Sequence, residues 1–106
     1  MSTSSPFVSI VDDDLATTKL FHEALSENVD NVRVVSFTDP VIALEHFSEN
    51  KDVYALVISD LRMPSLNGLE LLKKVKTSNP KVRTVLMSAC NFDEDILFLN
   101  IWRKVS

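Results

Sequence analysis

Four short apolar runs recur along the chain, each followed by residues at helical spacing or by a turn. This alternation constrains the fold more than any other feature. The runs are FVSIV (7–11), VRVVSF (32–37), YALVIS (54–59) and VRTVLMS (82–88). They are largely apolar on both faces, as in the buried strands of a parallel sheet. Leu15 to about Asn28 reads as a helix, with Phe21, Ala24, Leu25 and Asn28 spaced from Thr17. Asp39-Pro40 starts a second helix, the acid as N-cap and the proline at the first helical position, and Leu44 and Phe47 continue its apolar face. A third helix runs from about Asn67 to Ser78 through Leu69, Leu72, Val75 and Lys76, and Asn79-Pro80 stops it. Residues 93–104 are expected to form a fourth, although ILFLNIW (96–102) also has strand propensity. The order βαβαβαβα predicts an α/β fold, a parallel sheet with helices on both faces joined by right-handed crossovers.

Several function classes are disfavoured by the totals. At 106 residues the chain is one domain. Its net charge of -4 argues against a nucleic-acid surface, which is usually basic. No apolar run reaches the ~18 residues of a membrane span. Cys90 is the single cysteine, so no internal disulfide forms, and a cytoplasmic location is expected. Gly68 is the single glycine, which excludes a glycine-rich phosphate loop. Residues 1–6 read as a flexible tail and residues 7–106 as the domain.

Ligands of open parallel sheets bind beyond the carboxyl ends of the strands. The first strand ends in Asp12, Asp13 and Asp14, the third in Asp60, and the fourth in Ser88. Asp14 reads as the N-cap of the first helix. Taken singly, Asp12 and Asp13 read as capping or solvated acids as readily as functional ones, and Asp60 more readily as a turn residue. Together they would share one crevice. Two carboxylates about 4 Å apart repel by roughly 4 kcal/mol at an effective dielectric near 20. Either one is protonated or a cation sits among them. Hard oxygen donors with room for water suit Mg²⁺. A carboxylate beside such an ion is placed to attack phosphorus and form an acyl phosphate.

The segments IVDDD (10–14), SDLRMPSLNGLELL (59–72) and VLMSA (85–89) resemble the receiver domain of two-component response regulators. The resemblance implies a flavodoxin-like sheet of strand order 2-1-3-4, normally with a fifth strand. It implies that Asp60 accepts a phosphoryl group from a histidine kinase. Asp12, Asp13, Asp60 and the backbone carbonyl of Arg62 would hold Mg²⁺, and Ser88 would hydrogen-bond the phosphoryl group and act as the switch. Pro64 and Gly68 would shape the loop. The chain would catalyse phosphoryl transfer only to its own aspartate, and would not be an enzyme in the usual sense.

The family pattern also places a lysine some twenty residues past Ser88, on the fifth strand, beyond Ser106. Lys104 is the nearest, within the expected fourth helix. The expectation is therefore a receiver cut short before its fifth βα unit. The open edge of strand four, or the segment around Ile96, Phe98, Ile101 and Trp102, would then favour a homodimer. An alternative reading is a phosphorylation-deficient dimeric binding module. A hydrolase of the haloacid dehalogenase type is disfavoured, because Leu61 and Arg62 follow Asp60 where that chemistry needs Asp-x-Asp. His22 and His46 read as structural or solvent-facing, Met63 and Met87 as packing, and Lys73, Lys74 and Lys76 as a solvated helix face.

Overall fold

The computed structural model describes residues 5–87. The described elements are β1 (Phe7–Val11), α1 (Leu15–Asn28), β2 (Arg33–Phe37), α2 (Pro40–Asn50), a 3-10 turn (Lys51–Val53), β3 (Tyr54–Asp60), α3 (Gly68–Ser78) and β4 (Arg83–Met87). The expected fourth helix, Ser88 and Lys104 lie outside the described residues.

All strand pairings are parallel, in the order β2-β1-β3-β4. This is the predicted order. Val57 and Ser59 pair with Ser9 and Val11, while Ile58 pairs with Ile10. Side chains alternate along each strand. Ser9, Val11, Val57 and Ser59 therefore share one sheet face, and Val8, Ile10, Ile58 and Asp60 the other. The first face carries the core of Val11, Val57 and Tyr54 packed with Ala43 and Phe47 of α2 and Leu71, Leu72 and Val75 of α3. Phe47, Leu71, Leu72 and Val75 are at most 1% exposed. Each such side chain contributes roughly 1.5–3 kcal/mol by burial. Right-handed crossovers put α1 on the opposite face, because β2 lies to one side of β1 and β3 to the other.

Local chemistry sets the element ends. Asp14 caps α1: its carboxylate accepts from the Ala16 backbone N–H at 3.1 Å and the Thr17 hydroxyl at 2.8 Å. Asp39 caps α2 through the Val41 N–H at 2.9 Å, with Pro40 following. Asn67 caps α3 through the Glu70 N–H at 2.9 Å. The chain leaves α1 through Asn31, whose φ of 63° is a left-handed conformation that asparagine tolerates. On α3 the buried stripe includes Leu71, whereas Leu69 is only half-buried. A helix set against both a sheet and a neighbouring helix buries a wider stripe than single i, i+3 spacing suggests.

An aromatic group closes the end of the sheet opposite the acids. The Phe7 and His46 rings meet edge-on at 4.7 Å, and Phe47 lies 5.0 Å from Tyr54. The Tyr54 hydroxyl and His46 Nδ1 are 2.7 Å apart. Burial pushes the Tyr54 phenol up to about 12, so it stays a neutral hydrogen-bonding group. The Arg33 guanidinium sits 3.8 Å over the Phe7 ring, and its Nε donates to the Ser5 carbonyl. His22 Nδ1 lies 2.7 Å from the Ser36 hydroxyl. Both histidines thus have hydroxyl partners between elements, in keeping with the structural reading.

Candidate functional site

The carboxyl ends of β1 and β3 lie side by side, because these strands are neighbours in register up to Val11 and Ser59. Asp12 follows the end of β1 and Asp60 is the last residue of β3. Both occupy the sheet face that bears α1. Asp12 is 7% exposed, Asp60 is half-buried and Asp13 is exposed. One carboxylate oxygen from each lies within 4.8 Å of the other two. The structure thus brings together three of the predicted site residues. Ser88, the next residue after β4, lies outside the described residues.

The surrounding backbone holds this arrangement. The Asp12 N–H donates to the Phe37 carbonyl at 3.1 Å, tying the turn to β2. The Asp14 N–H donates to Asp12 Oδ1 at 2.9 Å, orienting one carboxylate oxygen. The Leu61 N–H donates to the Met87 carbonyl, and the Leu61 carbonyl accepts from the Gly68 N–H, both at 2.9 Å. The loop after Asp60 is therefore closed at both ends. Leu61, Arg62, Met63, Pro64 and Asn67 line an open cavity of about 540 Å³ with Asp13. The side chain of Arg62 is exposed, whereas Met63 is 8% exposed and packs into the core.

The electrostatics disfavour full ionisation of the buried acids. Burial pushes the Asp12 carboxyl up from its ordinary 3.8 to about 6. The Asp14 backbone N–H opposes that rise, and the charges of Asp60 and Asp13 add to it. Asp60 is raised chiefly by burial; the backbone N–H groups of Leu61 and Arg62 oppose this, Asp13 reinforces it and the Arg62 charge offsets it. At 4.8 Å a pair of carboxylates repels by about 3.5 kcal/mol at an effective dielectric near 20. Three oxygen donors, with Asp12 buried, Asp60 half-buried and Asp13 lining the open cavity, fit a hard divalent cation that keeps part of its water shell. A carboxylate at this rim is held by a strand yet reachable, as a nucleophile must be.

Residues 8–99 match the family model of the response regulator receiver domain. The chain belongs to the response regulator receiver family. The receiver is 36% identical over 96 residues to the two-component response regulator ORR12 of Oryza sativa subsp. japonica, covering 88% of this chain and 76% of that protein. It is 33% identical over 89 residues to the transcriptional regulatory protein ZraR of Klebsiella oxytoca, covering 84% of this chain but only 19% of that protein's length. Its fold superimposes on the crystal structure of a response regulator receiver domain from Clostridium thermocellum with a TM-score of 0.71. That match has 23% identity and covers 78% of this chain and 64% of that one.

Two contacts behind the acids go beyond the sequence reading. Ser59 is completely buried, and its hydroxyl donates to the Asp60 carbonyl at 2.9 Å. Gly68 was expected only to shape the loop, but its Cα lies directly against the Asp60 backbone. A Cβ there would sit 2.8 Å from the Asp60 carbonyl carbon and 2.9 Å from Ser59 Oγ, and closer still to the Asp60 carbonyl oxygen. The available signals were a small polar residue in an otherwise apolar strand and a lone glycine at the start of a helix.

Proposed function

We propose that this receiver is a phosphoacceptor, with Asp60 taking a phosphoryl group from a histidine kinase in the cytoplasm. The convergence of the Asp12, Asp13 and Asp60 carboxylates at the strand ends carries this reading. Asp12, Asp13, Asp60 and the Arg62 backbone carbonyl would hold Mg²⁺. Bound there, the ion neutralises charge on the transferred group.

The chain's own residues do the remainder. An oxygen of the Asp60 carboxylate attacks phosphorus as the bond from phosphorus to the donor's imidazole nitrogen breaks. An acyl phosphate forms, and the departing imidazole takes a proton from solvent. The strand and the closed loop fix Asp60 before reaction, so little reorganisation accompanies the attack. Ser88 follows directly on β4 in sequence and is assigned the hydrogen bond to the phosphoryl oxygens. The receiver modifies only itself.

Intact mass after incubation with acetyl phosphate tests this reading. The expected result is a single phosphoryl adduct that forms with Mg²⁺ and fails to form when Mg²⁺ is chelated. A folded protein with no adduct at saturating Mg²⁺ would contradict it.

A further inference from the structure

We propose, building on the phosphoacceptor role of Asp60, that Ser59 is a positioning residue whose hydroxyl locks the peptide group following Asp60. A buried strand position favours a β-branched apolar residue, yet position 59 holds a serine with no exposure. Its side chain points to the α2–α3 face, away from the Asp60 carboxylate. The hydroxyl donates to the Asp60 carbonyl at 2.9 Å. On the same peptide group, the Leu61 N–H donates to the Met87 carbonyl at 2.9 Å. Both polar ends of one peptide are thereby engaged, and Gly68 presses on its carbonyl from the start of α3. With that plane fixed, rotation about the Asp60 Cα–C bond is fixed too. That sets the direction of the Asp60 Cα–Cβ bond, from which the carboxylate reaches toward Asp12 and Asp13.

The test compares Ser59→Ala, Ser59→Thr and Ser59→Cys with wild type. Ser9→Ala serves as a control that removes another buried hydroxyl on the same sheet face. Two readouts are taken on protein shown to be folded: the rate of adduct formation from acetyl phosphate at saturating Mg²⁺, and the Mg²⁺ affinity by calorimetry without any phosphodonor. Ser59→Ala is expected to react about tenfold more slowly, since small misplacements of a reacting group cost one to two orders of magnitude. Its Mg²⁺ affinity should fall several-fold, Ser59→Thr should recover both quantities, and Ser9→Ala should change neither.

A Ser59→Ala protein with wild-type rate and affinity overturns the proposal, and so does Ser9→Ala slowed to the same degree. Should the alanine variant fail to fold, the cysteine variant decides, because it keeps the size and weakens the donor. Slowing supports the role and a wild-type rate overturns it. If wild type itself forms no adduct, the phosphoacceptor reading fails, while the Mg²⁺ affinities still show whether Ser59 orients Asp60. If wild type binds no Mg²⁺ either, both are overturned.

Discussion

Gly68→Ala is expected to destabilise the receiver by about 2–4 kcal/mol, at the upper end of overpacking effects. The cause is space. No glycine has positive φ, so the backbone conformation at Gly68 is open to alanine. A methyl group there would meet the Asp60 carbonyl and the Ser59 hydroxyl, and the first of these is backbone. Relief requires either α3 to withdraw from β3 or the end of β3 to shift. Withdrawal exposes Leu71, Leu72 and Val75, now at most 1% exposed. It also breaks the hydrogen bond from the Gly68 N–H to the Leu61 carbonyl. A shift of β3 moves Asp60 itself. Denaturant unfolding should therefore show a lower midpoint at unchanged slope. The folded fraction should also form adduct at least tenfold more slowly, by the same positioning argument. A midpoint equal to wild type would mean that the contact between α3 and the Asp60 backbone is looser than described.

Asp12→Asn is expected to move stability and chemistry in opposite directions. The folded-state value of about 6 lies above the ordinary 3.8, so the native state binds a proton more tightly than the unfolded chain does. Below the ordinary value this group costs the metal-free fold nothing. The cost grows as pH rises from about 4 to about 6 and is fully present above that. Asp60 is shifted in the same direction and adds to the trend. Metal-free thermal melts should accordingly show stability declining over this interval, with a shallower decline in the variant. Near pH 7.5 the variant should be about 1–2 kcal/mol more stable, the full linkage being discounted because the exposed Asp13 side of the site is screened by water. Its amide oxygen can still accept from the Asp14 N–H. Added Mg²⁺ should stabilise wild type strongly and the variant weakly, and adduct formation should fall at least tenfold. A variant less stable than wild type in the absence of metal would contradict the repulsive account of the site.

Much of the architecture was legible because each strand is a run of apolar residues closed by a turn-forming or charged residue. The predicted β1 and α1 match the structure, and β2 and α3 differ by single residues at their starts. Asp60 reads as the end of the third strand and is the last residue of β3, which ties its carboxylate to the sheet. The acids were legible as a group because parallel topology brings the ends of β1 and β3 together. Two contacts were not. The Ser59 hydroxyl bonds along its own strand, and serine carries no sequence mark of that direction. The closeness of Gly68 to Asp60 depends on how α3 packs, which helical spacing alone does not give. The same packing buries Leu71 ahead of Leu69. The Lys51–Val53 turn is a further element that the sequence reading does not include, although Asn50 and Asp52 are turn-forming residues.

The most direct measurement locates the modified residue. Protein treated with acetyl phosphate and Mg²⁺ is reduced with borohydride, which converts an aspartyl phosphate to homoserine, and the peptides are sequenced by mass spectrometry. The account predicts homoserine at position 60, none at positions 12 or 13, and none anywhere in Asp60→Asn. Homoserine at Asp12 or Asp13 in wild type, or an unmodified Asp60 in a protein that has taken up phosphate, would contradict it.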